Sequence, residues 1–128
     1  MQHRLKFRRL DGLFAVLRFP PEQDVPVWAT RGQFSSITRT AEELSVVCAV
    51  ENVPEETLPT ERWICVKLEG PFPFSMTGVL LSFLEPLSGN GVPIFALATF
   101  DTDYVLIPKQ FAERAMEELG RTGHIFIA

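Results

Sequence analysis

Cysteine, histidine and basic charge are scarce in this 128-residue chain, and each shortage removes a class of chemistry. The two cysteines, Cys48 and Cys65, stand in separate apolar runs and form no Cys-x-x-Cys pair. That excludes a disulfide framework and a cysteine zinc site, and leaves the expectation of two buried, reduced thiols. The two histidines, His3 and His124, lie at opposite ends of the chain. Neither stands near a nucleophile in the sequence, whereas Ser-His-Asp or Cys-His catalysis needs a positioned interior imidazole. There is no His-x-x-x-His pair, no Gly-x-x-x-x-Gly-Lys-Ser/Thr and no Gly-x-Gly-x-x-Gly, so the zinc-hydrolase and phosphate-loop signatures are missing.

Long apolar runs are also missing. The longest are broken by Glu85, Pro86 or Asp101, far short of the roughly 20 residues that span a bilayer. The segment from Met1 to Leu10 lacks the apolar core of a signal peptide. With 12 basic against 16 acidic residues and a net charge of −4, the chain is a poor general surface for nucleic acid or anionic membrane. Arg4, Lys6, Arg8 and Arg9 are a local exception, read as a solvated strand or terminus. The expectation is a soluble, cytoplasmic protein that is not an enzyme, with no cofactor, no metal, no nucleic acid and no membrane among its partners.

What is present is the material of an ordinary folded domain. Apolar residues make up 46% of the chain, enough for a core without disulfide or metal. Strands are expected at Gly12–Phe19, Phe34–Thr40 and Leu44–Val50, with a turn or loop over Glu22–Thr30 and a linker or helical stub over Asn52–Thr60. Trp63–Leu68 is the next strand, with Ile64, Val66 and Leu68 on one face. Val79, Leu80, Phe83, Leu84 and Leu87 recur at helical spacing, with Ser75 or Thr77 as cap and Gly89-Asn90-Gly91 as stop. Pro86 falls inside that pattern and is expected to bend or end the helix. Val92–Phe100 and Tyr104–Ile107 then form a hairpin about Asp101-Thr102-Asp103. Phe111, Ala115 and Leu119 mark a second helix without a side-chain N-cap, ended by Gly120 and Gly123. His124–Ala128 closes the chain as a short strand.

The second half thus reads strand, helix, strand, strand, helix, strand, the order of the ferredoxin-like α+β sandwich. The first half reads as the same plan, eroded. Ser36–Thr40 followed by Leu44–Val47 echoes Ala98–Thr102 followed by Tyr104–Leu106. The expected organisation is two ferredoxin-like βαββαβ modules in tandem, the first reduced, over residues 1–60 and 61–128.

Two stretches carry a family resemblance. Gly70-Pro71 through Phe74-Ser75-x-Thr77-Gly78-Val79-Leu80, and Pro86-Leu87 through Gly91-Val92-Pro93-Ile94-Phe95 to the Thr99-Phe100-Asp101-Thr102-Asp103-Tyr104 run, resemble the ACT-domain proteins. More closely they resemble small bacterial tandem-ACT proteins, related to the ACT halves of aspartate kinase and of the animal cytosolic arginine sensor. The resemblance covers most of residues 34–128. It implies a non-catalytic regulatory module that senses a free amino acid at an interface between paired ACT units. A homodimer or a regulated partner protein is implied with it.

Carried onto this chain, the resemblance implies contacts from Met76, Thr77, Gly78, Val79 and Leu80 at the first helix. It also implies contacts from Thr99, Phe100, Asp101 and Asp103 at the strand end, and from Ser45 and Val46 in the first half. Met76 stands where the arginine-binding relatives carry an acid, which counts against arginine as the ligand. The chemistry supports such a seat. A helix start offers unpaired N–H groups and partial positive charge for a carboxylate, and Gly78 lets backbone come close. Asp101 or Asp103 would accept hydrogen bonds from an ammonium. Plainer roles stand beside these. Gly78 would serve close packing of helix on sheet, the two aspartates would close a turn on its own backbone, and Phe72 and Phe74 would plug a core or a module interface. The alternative reading of the whole is a ligand-free protein–protein association module.

Overall fold

In chain order the elements are β1 (Lys6–Arg9), β2 (Phe14–Phe19), β3 (Ser36–Arg39), β4 (Leu44–Ala49), β5 (Trp63–Leu68), α1 (Val79–Ser88), β6 (Phe95–Ala98), β7 (Asp103–Pro108), α2 (Ala112–Arg121) and β8 (Ile125–Phe126). The computed structural model describes residues 3–70, 72 and 78–128. Ser75 and Thr77 as a helix cap, the Phe74 plug, and Met76 and Thr77 as contacts fall outside the described residues.

Two compact units emerge: Met1–Asp11 with Ile64–Ala128, and Gly12–Trp63. The expected division gave residues 1–60 to the first half, whereas here the first eleven residues join the C-terminal unit. In the Gly12–Trp63 unit, β4 lies between β2 and β3, antiparallel to both, with Leu17↔Val46 and Ile37↔Val46 in register. Alternate residues of β2 and β4 (Ala15, Leu17, Leu44, Val46 and Cys48) point to one face and bury with Ala29 and Val53. On the other face Phe14 meets Phe34 edge to face, centroids 5.8 Å apart. This unit carries single 3₁₀ turns at Val27–Thr30, Val50–Asn52 and Glu55–Thr57, and no α-helix among the described residues.

The other unit is α+β with the ferredoxin-like order: β5, α1, β6, β7, α2, β8. The pairings run β8–β1–β5–β7–β6. β1 inserts between β8 and β5, parallel to the first and antiparallel to the second. Its sequence, Lys-Phe-Arg-Arg, has one apolar side chain, and that one is buried: Phe7 packs edge to face on Phe83 of α1, centroids 5.3 Å apart. Along β5, Ile64, Cys65 and Val66 are all fully buried, so both faces are covered there and alternation is lost.

Three elements differ from expectation for local reasons. The first helix passes through Pro86 and ends at Ser88. Pro86 has no N–H for the Ser82 carbonyl, but the His124 ring takes that carbonyl at 2.9 Å, so the helix continues. The strand expected from Val92 begins only at Phe95. Val92 instead folds back on the helix end, its N–H donating to Leu87 O at 3.0 Å beyond the left-handed Gly91. Gly120 lies inside α2, and the helix gives way to the positive-φ Gly123.

Candidate functional site

The start of α1 and the β6–β7 turn face one groove of about 310 Å³. Gly78, Val79, Leu80 and Leu81 line it from the helix, Thr99 to Thr102 from the turn, and Asp103 from the start of β7. Phe72 and Ala98 complete the wall. Seven of the expected contacts therefore come together: Gly78, Val79, Leu80, Thr99, Phe100, Asp101 and Asp103.

Gly78 is the N-cap of α1, with φ +76° and no side-chain cap bond among the described residues. A Cβ built there meets nothing nearer than His3 Nε2 at 3.9 Å. Close packing is thus not what requires glycine; the left-handed backbone is. The first N–H groups of a helix have no intrahelical acceptor, and those of Val79, Leu80 and Leu81 belong to residues of the groove wall. The Gly78 carbonyl is occupied by Ser82, through its N–H at 3.0 Å and its hydroxyl at 2.9 Å.

The turn opposite is built by threonines. Thr99 donates its N–H and its hydroxyl to Thr102 O at 2.9 and 2.7 Å, and Thr102 N–H reaches back to Thr99 Oγ1 at 3.3 Å. The Thr102 hydroxyl, buried, donates to Leu68 O of β5 at 2.8 Å. Gly70 lets the adjoining loop lie against this turn: a Cβ there would sit 3.0 Å from Asp101 O. Phe72 N–H donates to the same carbonyl at 3.2 Å. Among the described residues the aspartate side chains close nothing. Asp101 is exposed, and Asp103, the first residue of β7 rather than part of the turn, is half-buried. Burial pushes the Asp103 carboxyl above the ordinary carboxylate range.

The remaining expected contacts stand apart. Val46 is fully buried in the core of the Gly12–Trp63 unit, and Ser45 beside it pairs with Arg18 and Thr38. The groove contains four residues not expected as contacts: Phe72, Leu81, Ala98 and Thr102. Leu81 and Ala98 follow from their neighbours in sequence; Thr102 was legible only as a turn residue. Chemically, the groove offers helix-start N–H groups on one side, two acceptor-only carboxylates on the other, and apolar surface from Phe72, Leu81 and Phe100. Among the described residues no three metal-ligating side chains converge, and no helix is long and apolar enough to cross a membrane.

Known proteins match both parts of the chain. Residues 59–121 match the ACT domain model, and residues 12–56 match a model for a family of N-terminal domains. The human protein CASTOR3P is 28% identical over 96 residues, covering 63% of this chain and 58% of its own length. The chain therefore spans less than two thirds of that relative. A crystal structure of an Agobacterium tumefaciens protein superposes with a TM-score of 0.90 at 38% identity, covering 98% of this chain and 93% of that one. The crystal structure of aspartokinase alpha and beta subunits gives a TM-score of 0.63 at 15% identity, with 94% and 98% coverage, and so shares the fold.

Proposed function

We propose that this chain, whose residues 59–121 match the ACT domain model, is a regulatory small-molecule-binding module that binds a free amino acid without catalysing its conversion. The observation that carries the reading is the single groove that sets the start of α1 against Asp101 and Asp103. The ligand carboxylate takes the N–H groups after Gly78, where the helix dipole is positive. Its ammonium takes Asp103, helped by Asp101. A half-buried carboxylate pushed upward by lost solvation gains most from an arriving cation. Each charge-assisted hydrogen bond contributes about 1.5–3 kcal/mol once water is excluded, so a few give roughly micromolar affinity. In the full proposal a second ACT-like unit completes the seat. The ACT match over residues 59–121 supports the regulatory reading. The proposal places the protein in the cytoplasm, with Cys48 and Cys65 as free thiols.

Thermal-shift and titration calorimetry against the twenty amino acids test this. At least one is expected to raise Tm in a dose-dependent way at millimolar concentration or below. A flat response to all twenty sinks the reading. The alternative, a ligand-free association module, draws on Phe100 and Leu81, 80% and 64% exposed in the groove. It predicts a concentration-dependent mass in sedimentation that the double change Leu81→Ser, Phe100→Ser abolishes, with no amino-acid effect.

A further inference from the structure

The His124 ring lies outside the groove and is 5% exposed. Leu5 N–H donates to its Nδ1 at 3.0 Å, and its Nε2 lies 2.9 Å from Ser82 O. A backbone N–H can only donate and a carbonyl can only accept. The two partners therefore fix the ring as the neutral tautomer, with its proton on Nε2. The Ser82 carbonyl is open to the ring because Pro86, four residues on, has no N–H to return to it. We propose that His124 is a proton-sensitive latch holding the N-terminal segment, His3 to Phe7, onto α1 and β8.

The docked arrangement has no place for a second ring proton. Protonation at Nδ1 sets N–H against the Leu5 N–H in a buried position, and an unmade buried bond there is costly. What the latch holds is a short ladder. Ile125 N–H donates to Leu5 O at 2.8 Å, Ile127 N–H to Phe7 O at 2.9 Å, and His3 N–H to Ser82 Oγ at 3.1 Å. The charged surroundings do not replace the lost bond. His3 and Arg4 of the segment and Glu85 of α1 line a cavity of about 280 Å³ with Ser82, Thr122 and the ring itself. On α2, Glu118 and Arg121 pair with each other at 2.6 Å. On β1, Lys6 is exposed and Arg8 pairs with Glu69. Phe83 also packs on the ring, centroid 5.3 Å away. A proton on Nδ1 and the Leu5 bond exclude each other, so the charged ring and the docked segment compete. The latch is independent of the amino-acid reading of the groove.

The test is nitrogen NMR of the full chain at about pH 8 and about pH 5, the span over which an imidazole ordinarily charges. Wild type is compared with His124→Gln, whose amide supplies the same acceptor and donor but does not titrate. At the higher pH, Nδ1 is expected to be the unprotonated nitrogen. On acidification the exchange protection of Leu5 is expected to fall by about tenfold or more, with Ile125 following and β4 unchanged. In His124→Gln that fall is expected to vanish. A proton on Nδ1 at about pH 8, an unchanged Leu5 in wild type, or an equal fall in the glutamine variant overturns the proposal. Should the variant not fold, the ring-nitrogen and Leu5 measurements on wild type decide it alone.

Discussion

The hydroxyl of Thr102 donates to the carbonyl of Leu68 at 2.8 Å, tying the β6–β7 turn to the strand on the far side of β7. Thr102 is 6% exposed, although it stands between two aspartates in a hairpin turn. This bond sets the height at which Asp101 and Asp103 face α1. Thr102→Val keeps the shape and removes the donor. It is expected to cost about 1–3 kcal/mol in urea unfolding, because the carbonyl is left short of a partner. A change below about 0.5 kcal/mol, the ordinary range for a surface substitution, would show the bond to be dispensable.

Much of the C-terminal unit was legible because its signals are local. The Val79, Phe83, Leu87 spacing marks one buried helix stripe, and all three are buried. Ala115 and Leu119 do the same for α2. β1 was legible only as a solvated strand or terminus; its place in the sheet was not, because three of its four residues are charged and its partners lie nearly 60 and 120 residues away. No periodicity reports such a pairing. Val92 looked like strand because it is apolar and β-branched; it is buried as the return from a helix end. At the groove, Gly78 and the two aspartates were legible by type. That threonines, not aspartates, close the turn was not, since both residue types favour turns for the same reason.

Gly78 is held at φ +76°, and a Cβ there would make only ordinary contact with the His3 ring. Substitution there tests backbone rather than packing. Gly78→Ala is expected to cost about 1–2 kcal/mol and lower Tm, and Gly78→Val more, since a branched side chain tolerates this conformation least. If both variants melt with wild type, the left-handed cap is not a constraint. Under the amino-acid reading, both also weaken binding by displacing the first N–H groups of α1.

Asp103 gives a pH dependence with a definite sign. Burial raises its carboxyl above the ordinary value, so the folded chain holds this proton more firmly than the unfolded chain. Its contribution to stability is therefore complete below the ordinary carboxylate value and is lost as pH rises through the folded value. Asp103→Asn is expected to flatten that part of the stability–pH curve while leaving the fold intact. Amino-acid affinity moves the other way, falling on acidification as the carboxylate is neutralised. In Asp103→Asn it is expected to fall about tenfold or more at neutral pH, read by calorimetry, as a charge-assisted bond is replaced. Equal affinity in the variant removes Asp103 from the site.

Cys65 is fully buried on β5, and burial pushes its thiol up to about 12 from 9.0; burial raises Cys48 as well. Two outcomes follow from the same physics. Native protein at about pH 8 is expected to leave both thiols unreactive toward a disulfide reagent, with both titrating after denaturation, because the thiolate is the reactive form. Above about pH 9 the unfolded chain loses a proton that the folded chain keeps, so stability falls as pH rises toward the folded value. At full extent this linkage is on the order of 4 kcal/mol. Cys65→Ala leaves a small cavity and so lowers stability at every pH. It is nonetheless expected to show a shallower alkaline decline than wild type, and it is that slope, rather than the offset, that isolates the thiol. Parallel declines would assign the alkaline loss to other groups.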